Sequence, residues 1–538
     1  MTRTLFIGLD GATFTVLNEM TRDLPGEGIT MPFLKKFLEN GVRAKLRSTP
    51  NPLTPPAWVS IQTGRNPGEH GIYDFVHTEE KGRDIFFTLN DFRNIDTETI
   101  WSILGRQDKS YVALNFPVTA PPKGLTGVVV PGFVSWKHLR RNVSPENFYE
   151  RLKNIPDFDP KELAWDFEQE GKAIEIISPE DMESWISYHL PREEQWFRIS
   201  EMLMKEDNPD FMAVLFDGTD KIQHQAWKFL DPALLPENPS PWETRMRALC
   251  LKYFRQLDGY IEALVTLAGP DAQVFMASDH GFTTTTEVIR INSFLAEKGY
   301  LIWKEDDGTE QSKRRDASNF ANVDWDQTLA YCRTPSSNGI TIRVAEKSGD
   351  PGIKPENYES FRTKLILDLE SFVDEENGER IIVEIMKRED VFPGKNMKNA
   401  PDLTLMLRDN GFVSVRSTTP PLWKRDMPAG THHPDGVFLA GGYGIRQGVE
   451  TDLKQIVDVA PTFLYSQGLP IPSDFEGTIP QDFFTEEYWN AQPPRTGPAT
   501  LSIEQLNAAS SPSSSSENAT EEDKAKIIAQ LQMLGYME

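Results

Sequence analysis

The stretch FMAVLFDGTDKIQHQAW, residues 211–227, reads as a buried strand running straight into a helical turn. Phe211–Phe216 is apolar on both faces, which suits a strand whose sheet is covered on both sides. Asp220 and His224 follow, four positions apart, and would share one face of the turn. That spacing suits one metal ion; the ordinary alternative is a solvated helix face. Asp217, nearer the strand end, ranks below Asp220 because it pairs with no histidine at helical spacing.

Similar runs recur at Leu5–Leu9, Tyr111–Phe116, Val274–Ala277 and Val437–Ala440, and all five read as buried parallel strands ending in polar or glycine-rich turns. Helical spacing appears between them, as in Met31 to Asn40, closed by Gly41, and in Arg245 to Leu264. Strands alternating with helices predict an α/β fold, a doubly wound and mostly parallel sheet. From about Val288 to Leu407 the rhythm changes to a helix at INSFLAEKGY, a strand at GITIRVAE, a helix at YESFRTKLILDLESF and strands at RIIVEIM and DLTLML. This predicts an inserted α+β cap subdomain, with the chain returning to the main sheet at Gly436.

The main domain is therefore expected over 1–490, with the cap at 288–407. Residues 491–519 turn to Pro, Ser and Ala, and SSPSSSSENATEED buries too little apolar surface to offset its ordering entropy, so a disordered linker is expected there. Helical spacing returns over 520–538 at Ile527, Ile528, Leu531 and Leu534. Thr520 and Asp523 are spaced like a capping box and Gly535 is a stop. Such a helix would dock on the core or join a homo-oligomer.

A net charge of -25 argues against a nucleic-acid polymer or an anionic membrane as the main partner. The two cysteines, Cys250 and Cys332, fit neither a disulfide framework nor a CxxC metal site. The first apolar run ends at Asp10, too early for a signal-peptide core, and no later window approaches a membrane span. The expectation is a soluble, cytoplasmic protein with a small-molecule partner.

In open α/β sheets ligands bind beyond the carboxyl ends of the strands, which directs attention to the residues just after each apolar run. Leu5–Leu9 ends in Asp10 and Gly11, a pair that is more often a simple turn. Val274–Ala277 ends in SDHGF, where Asp279 and His280 can reach one ion only if the backbone turns, as Gly281 permits. GTHHPDG carries His432 and His433 just before the last strand; one ligand and one neighbour is the usual outcome for such a pair. Of eight histidines in the chain, His224, His280, His432 and His433 all fall at these strand edges, and carboxylate with imidazole suits zinc, manganese or iron. LTPPAWVSIQTGRNPGEHGIYDF, Leu53 to Phe75, adds a threonine that is either a helix N-cap or a nucleophile at a helix's positive end.

Taken in order, IGLDGAT around Asp10, LTPPAWVSIQTGRNPGEHGI around Thr54, DGTDKIQH, SDHGF and GTHHPDG resemble the alkaline phosphatase superfamily. The resemblance is to its type I phosphodiesterase and nucleotide pyrophosphatase branch and the bacterial phosphohydrolase/phosphomutase-like proteins near it. It implies two divalent metal ions, with zinc the first choice and manganese or iron the alternatives. One ion would be held by Asp220, His224 and His432, the other by Asp10, Asp279, His280 and the oxygen of Thr54. His432 is preferred to His433 because the family's histidine stands two residues after the glycine. The implied reaction is hydrolysis of a small soluble phosphoester, such as a nucleotide or sugar-phosphate derivative, through a phospho-threonine. The alternatives are a phosphomutase acting on a sugar phosphate, or a catalytically silent binding protein of the same fold. The sulfatase Cys/Ser-x-Pro-x-Arg pattern is absent, and HGIYDF lacks the asparagine that many nucleotide pyrophosphatases carry after this His-Gly. Asn115 could replace it but stays outside the expected set.

Overall fold

A computed structural model describes residues 2–81, 84–163, 179–304, 322–345, 347, 349–415 and 420–509. Its centre is a nine-stranded sheet whose strands, in chain order, are β1 Thr4–Leu9, β2 Val42–Arg47, β3 Tyr111–Leu114, β4 Val128–Val130, β5 Phe211–Phe216, β6 Gln273–Ala277, β7 Asp435–Gly442, β8 Val449–Glu450 and β9 Lys454–Gln455. The spatial order is β8-β2-β7-β6-β1-β5-β3-β4, with β9 also on β2. The run β6-β1-β5-β3-β4 is parallel throughout.

Every residue of β1, β3, β5 and β6 is buried, as strands apolar on both faces require. The period-two pleat divides β1 between two cores, Leu5, Ile7 and Leu9 on one face and Phe6 on the other. Gly8 leaves room for its neighbours: a Cβ there would stand 2.8 Å from both Leu215 and Trp58.

One strand departs from expectation. β7, which contains Val437–Ala440, runs antiparallel to both β2 and β6. After β6 the strand Gly281–Arg290 carries the chain outward, and Leu422–His433 brings it back antiparallel beside it. The chain therefore enters β7 from the carboxyl edge of the sheet and can only run the opposite way.

Between those two outer strands lies an antiparallel four-stranded sheet of Ala330–Cys332, Gly339–Ile342, Leu403–Leu407 and Ile382–Lys387, with the helix Tyr358–Glu370. It has its own core, which includes Ile289, Leu365 and Leu403. We refer to it as the cap.

Part of the stretch expected to be a linker is structured. Thr496–Gly497 pairs with Ile471–Pro472, and Ile503–Ala509 is helical. Polar ties hold this segment where apolar burial does not: Thr500 donates its N–H and hydroxyl to Asp474, and Leu501 N–H donates to Glu98. The rest of the expected linker and the expected helix at 520–538 lie outside the described residues. Among the described residues no helix is long and apolar enough to cross a membrane.

Candidate metal centre

Four helices matter here: α1 Thr54–Thr63, α2 Pro179–Glu206, α3 Gly218–Ala226 and α4 Pro241–Ala268. β1, β5 and β6 are adjacent and parallel, so Asp10, the start of α3 and the segment after Ala277 emerge side by side. His432 arrives from the returning strand, paired with Phe282.

The seven residues singled out in the sequence meet there. Asp220 Oδ1 lies 3.4 Å from His224 Nε2 and 3.2 Å from His432 Nε2, and the two Nε2 atoms are 3.1 Å apart. His280 Nε2 lies 3.2 Å from Asp279 Oδ2 and 3.7 Å from Asp10 Oδ1. Two buried groups could each hold a metal ion, Asp220–His280–His432 and Asp10–Asp279–His280. His280 belongs to both, so it stands between them.

The donor chemistry fits cations. Asp10 Oδ1, Asp220 Oδ1 and Asp279 Oδ2 are buried and accept no hydrogen bond. Burial, reinforced by the neighbouring carboxylates, pushes Asp10 and Asp279 well above the usual carboxylate range. Burial also lowers His280 and His432, which keeps both imidazoles neutral with a lone pair to offer. His432 Nδ1 lies 2.7 Å from the Pro52 carbonyl and His280 Nδ1 lies 3.1 Å from the Gly281 carbonyl. A carbonyl can only accept, so the proton is assigned to Nδ1 in each ring and the Nε2 lone pair faces the carboxylates. Lone pairs and bare carboxylate oxygens converging in a buried space repel one another unless cations lie between them.

Thr54 sits at the edge of this centre, its Oγ1 3.4 Å from His280 Nε2, and is 2% exposed. It is the first residue of α1 rather than its cap: Leu53 is the N-cap, and no side chain caps the helix. The helix end supplies little positive charge. Pro55 and Pro56 carry no N–H, and the Ala57 N–H bonds the Leu53 carbonyl, which leaves the Thr54 N–H.

The neighbouring candidates have other partners. Asp217 pairs with Arg192, and His433 Nδ1 accepts the Asp435 N–H at 3.0 Å. Asn115, at φ 67°, donates to the Leu215 carbonyl at 2.9 Å and to Asp217 at 3.1 Å. In HGIYDF, His70 is fully buried, 3.0 Å from Ser60 Oγ, and burial lowers it to about 3. Asp74 accepts hydroxyls from Thr334 and Ser336, and Ser336 also takes the Asn51 amide at 2.8 Å, so this segment is tied to the cap. A cavity of about 800 Å³ between segment and cap is lined by Tyr73, Asp74, Arg333 and Lys398, and the seven residues above are not in its lining.

Sequence reasoning missed Trp58, whose Nε1 donates to Asp10 Oδ2 at 3.2 Å. Its signal was present: Trp58 stands four residues after Thr54, on the same face of α1. It also missed Arg192 and Glu193, which sit within a long helix far from any strand end and gave no such signal.

The family model of Type I phosphodiesterase / nucleotide pyrophosphatase matches residues 4–435. Among solved structures, murine ectonucleotide pyrophosphatase / phosphodiesterase 5 aligns with a TM-score of 0.50 at 13% identity, covering 91% of this chain and 99% of that one. The human protein of the same name gives 0.49 at 13% identity over 91% and 99%. Phosphonoacetate hydrolase from Sinorhizobium meliloti gives 0.48 at 16% identity over 87% and 95%. Identities this low speak to fold alone. No curated protein matches the chain at significance.

Proposed function

The chain belongs to the Type I phosphodiesterase / nucleotide pyrophosphatase family, and from that premise we propose that it hydrolyses a small soluble phosphoester, a nucleotide or sugar-phosphate derivative, with Thr54 as nucleophile. Two divalent ions, zinc first among the candidates, would be held by Asp220, His224 and His432 and by Asp10, Asp279, His280 and the Thr54 oxygen. The observation that carries this reading is the convergence of three buried, unpaired carboxylate oxygens with two neutral imidazoles next to a threonine hydroxyl.

Such ions supply positive charge to the phosphoryl oxygens and to the entering and leaving oxygens. The chain's own groups do the rest. Burial of Thr54 excludes bulk water from the hydroxyl, and the start of α1 fixes its direction. Its oxygen forms a bond to phosphorus as the ester oxygen departs in line, the hydroxyl proton ending on the departing oxygen, giving phospho-threonine. Water attacks that phosphorus from the opposite side, one of its protons restores the Thr54 hydroxyl, and phosphate leaves from a monoester substrate or a phosphomonoester from a diester. Trp58 holds the Asp10 carboxylate in one orientation through its indole N–H.

The bonds from Asn51 and Asp74 to the cap favour an enclosed site, which a phosphomutase also needs to retain its substrate between two transfers. The product separates the readings: phosphate or a phosphomonoester released to water for the hydrolase, an isomerised sugar phosphate for the mutase. Two unpaired, buried cysteines are consistent with a cytoplasmic setting.

The test is metal analysis of the purified protein joined to a panel of mono- and diesters. Two equivalents of metal and activity lost in Thr54→Ala are expected. A preparation that stays metal-free and inactive after zinc or manganese addition would support the silent binding protein instead.

A further inference from the structure

Three side chains of α2, Trp185, Arg192 and Glu193, bond the first turn of α3 and the residue before it. Arg192 donates through both terminal nitrogens to the two oxygens of Asp217, at 2.6 and 3.0 Å, with both side chains 2% exposed. Glu193 Oε1 accepts the Gly218 N–H at 2.6 Å and the Tyr253 hydroxyl at 3.2 Å. Trp185 Nε1 donates to the Lys221 carbonyl at 3.0 Å. On its other side α3 is tied to the turn after β1, through the Thr219 hydroxyl on the Asp10 carbonyl and the Gln223 amide on the Gly11 carbonyl.

The two ligand sets proposed above differ in what supports them. Asp220 and His224 stand on α3 itself. The Asp10 side chain is held by Trp58 and the Asp279 side chain by the Gly11 N–H; α3 hydrogen-bonds this group at the backbone carbonyls of Asp10 and Gly11, whose place is set by β1, paired on both sides. Asp217 precedes α3 immediately and its carboxylate makes no capping bond, so it is committed to Arg192 and Asn115. A guanidinium fork meets both carboxylate oxygens at fixed geometry, which a lysine ammonium cannot do.

We propose that Arg192 and Glu193 are positioning residues for the ion of the Asp220–His224–His432 group alone, acting by fixing Asp217 and Gly218 and with them the first turn of α3. The inference rests on the two-ion reading above and adds that the two ions depend on different parts of the scaffold.

The test titrates metal-stripped protein with Zn2+ by calorimetry and reads the Co2+-loaded form by its visible spectrum. Wild type binds two ions. Arg192→Lys weakens one of them about tenfold, as supporting residues of metal ligands do, and leaves the other unchanged. That unchanged ion is also evidence that the variant is folded. Glu193→Gln keeps an oxygen for the Gly218 N–H and binds both ions like wild type, whereas Glu193→Leu weakens the same ion as Arg192→Lys. The affected ion is the one removed by His224→Ala, so adding Arg192→Lys to His224→Ala changes binding no further. The Glu193 pair decides the matter if Arg192→Lys does not fold. Two ions bound as in wild type by Arg192→Lys and Glu193→Leu, or both weakened equally, overturn the inference. Fewer than two ions in wild type overturn the two-ion reading itself.

Discussion

Gly281→Ala places a methyl group where the backbone leaves no room. The added Cβ would stand 2.0 Å from the Asp435 carbonyl oxygen and 2.9 Å from its carbon, where ordinary contact begins at 3.4 Å. Roughly 1.4 Å of separation is therefore needed between two backbones, since no flexible side chain is there to give way. One of them is β7 at its first residue, and the other is the strand that begins directly after His280. His280, proposed for one ion, directly precedes Gly281 and its ring is held by the Gly281 carbonyl, and His432, proposed for the other, stands three residues before Asp435. Metal sites tolerate only a few tenths of an ångström in donor position, so both ions should be lost together. The stability loss lies beyond ordinary overpacking, about 3 kcal/mol or more. Gly259→Ala is the matched control. It lies exposed in α4, a Cβ there meets nothing within 4 Å, and the same change should stabilise by about 0.5–1 kcal/mol. Urea unfolding and calorimetric zinc titration read both variants. A Gly281→Ala protein as stable as wild type and still holding both ions would refute the geometry.

Trp58→Phe removes the indole donor from Asp10 and should weaken the Asp10–Asp279–His280 ion by about 1.5–3 kcal/mol, read as the corresponding loss in zinc affinity. His433→Ala should leave both ions bound, whereas His432→Ala loses one; metal content after dialysis distinguishes the two histidines. Asp74 is raised to about 6 by burial, against opposing hydrogen bonds from Thr334 and Ser336. The folded chain therefore binds this proton more tightly than the unfolded chain, so the stability it contributes is present below about pH 4 and is lost as pH rises through 6. The loss amounts to about 3 kcal/mol, and Asp74→Asn should flatten that part of a stability-versus-pH curve.

The parallel strands were legible because each is apolar on both faces and short, a pattern that only a covered sheet accommodates. The direction of β7 was not, because nothing within Val437–Ala440 records it; the outward course of Gly281–Arg290 and the return along Leu422–His433 decide it. The strand-end acids were visible as a set, yet Asp10 and Asp217 occupy equivalent positions after β1 and β5. Only the fold separates them, by giving Asp217 the guanidinium of Arg192, 25 residues upstream. Thr54 could be read as a cap or a nucleophile because both need a helix start. The structure begins α1 at Thr54 itself and, with two prolines behind it, shifts the demand for positive charge onto the carboxylate–imidazole centre. Asp74 could be noticed where an asparagine was expected, but its partners Thr334 and Ser336 lie about 260 residues away in the cap.

The most direct measurement of the central claim is mass spectrometry of the peptide around Thr54 after acid quench of zinc-loaded enzyme turning over a p-nitrophenyl phosphate ester. A substrate-derived phosphoryl group on Thr54 should accumulate with the burst of nitrophenol and be absent from Thr54→Ala. Nitrophenol released with no modification at Thr54, or undiminished release by Thr54→Ala, would contradict it.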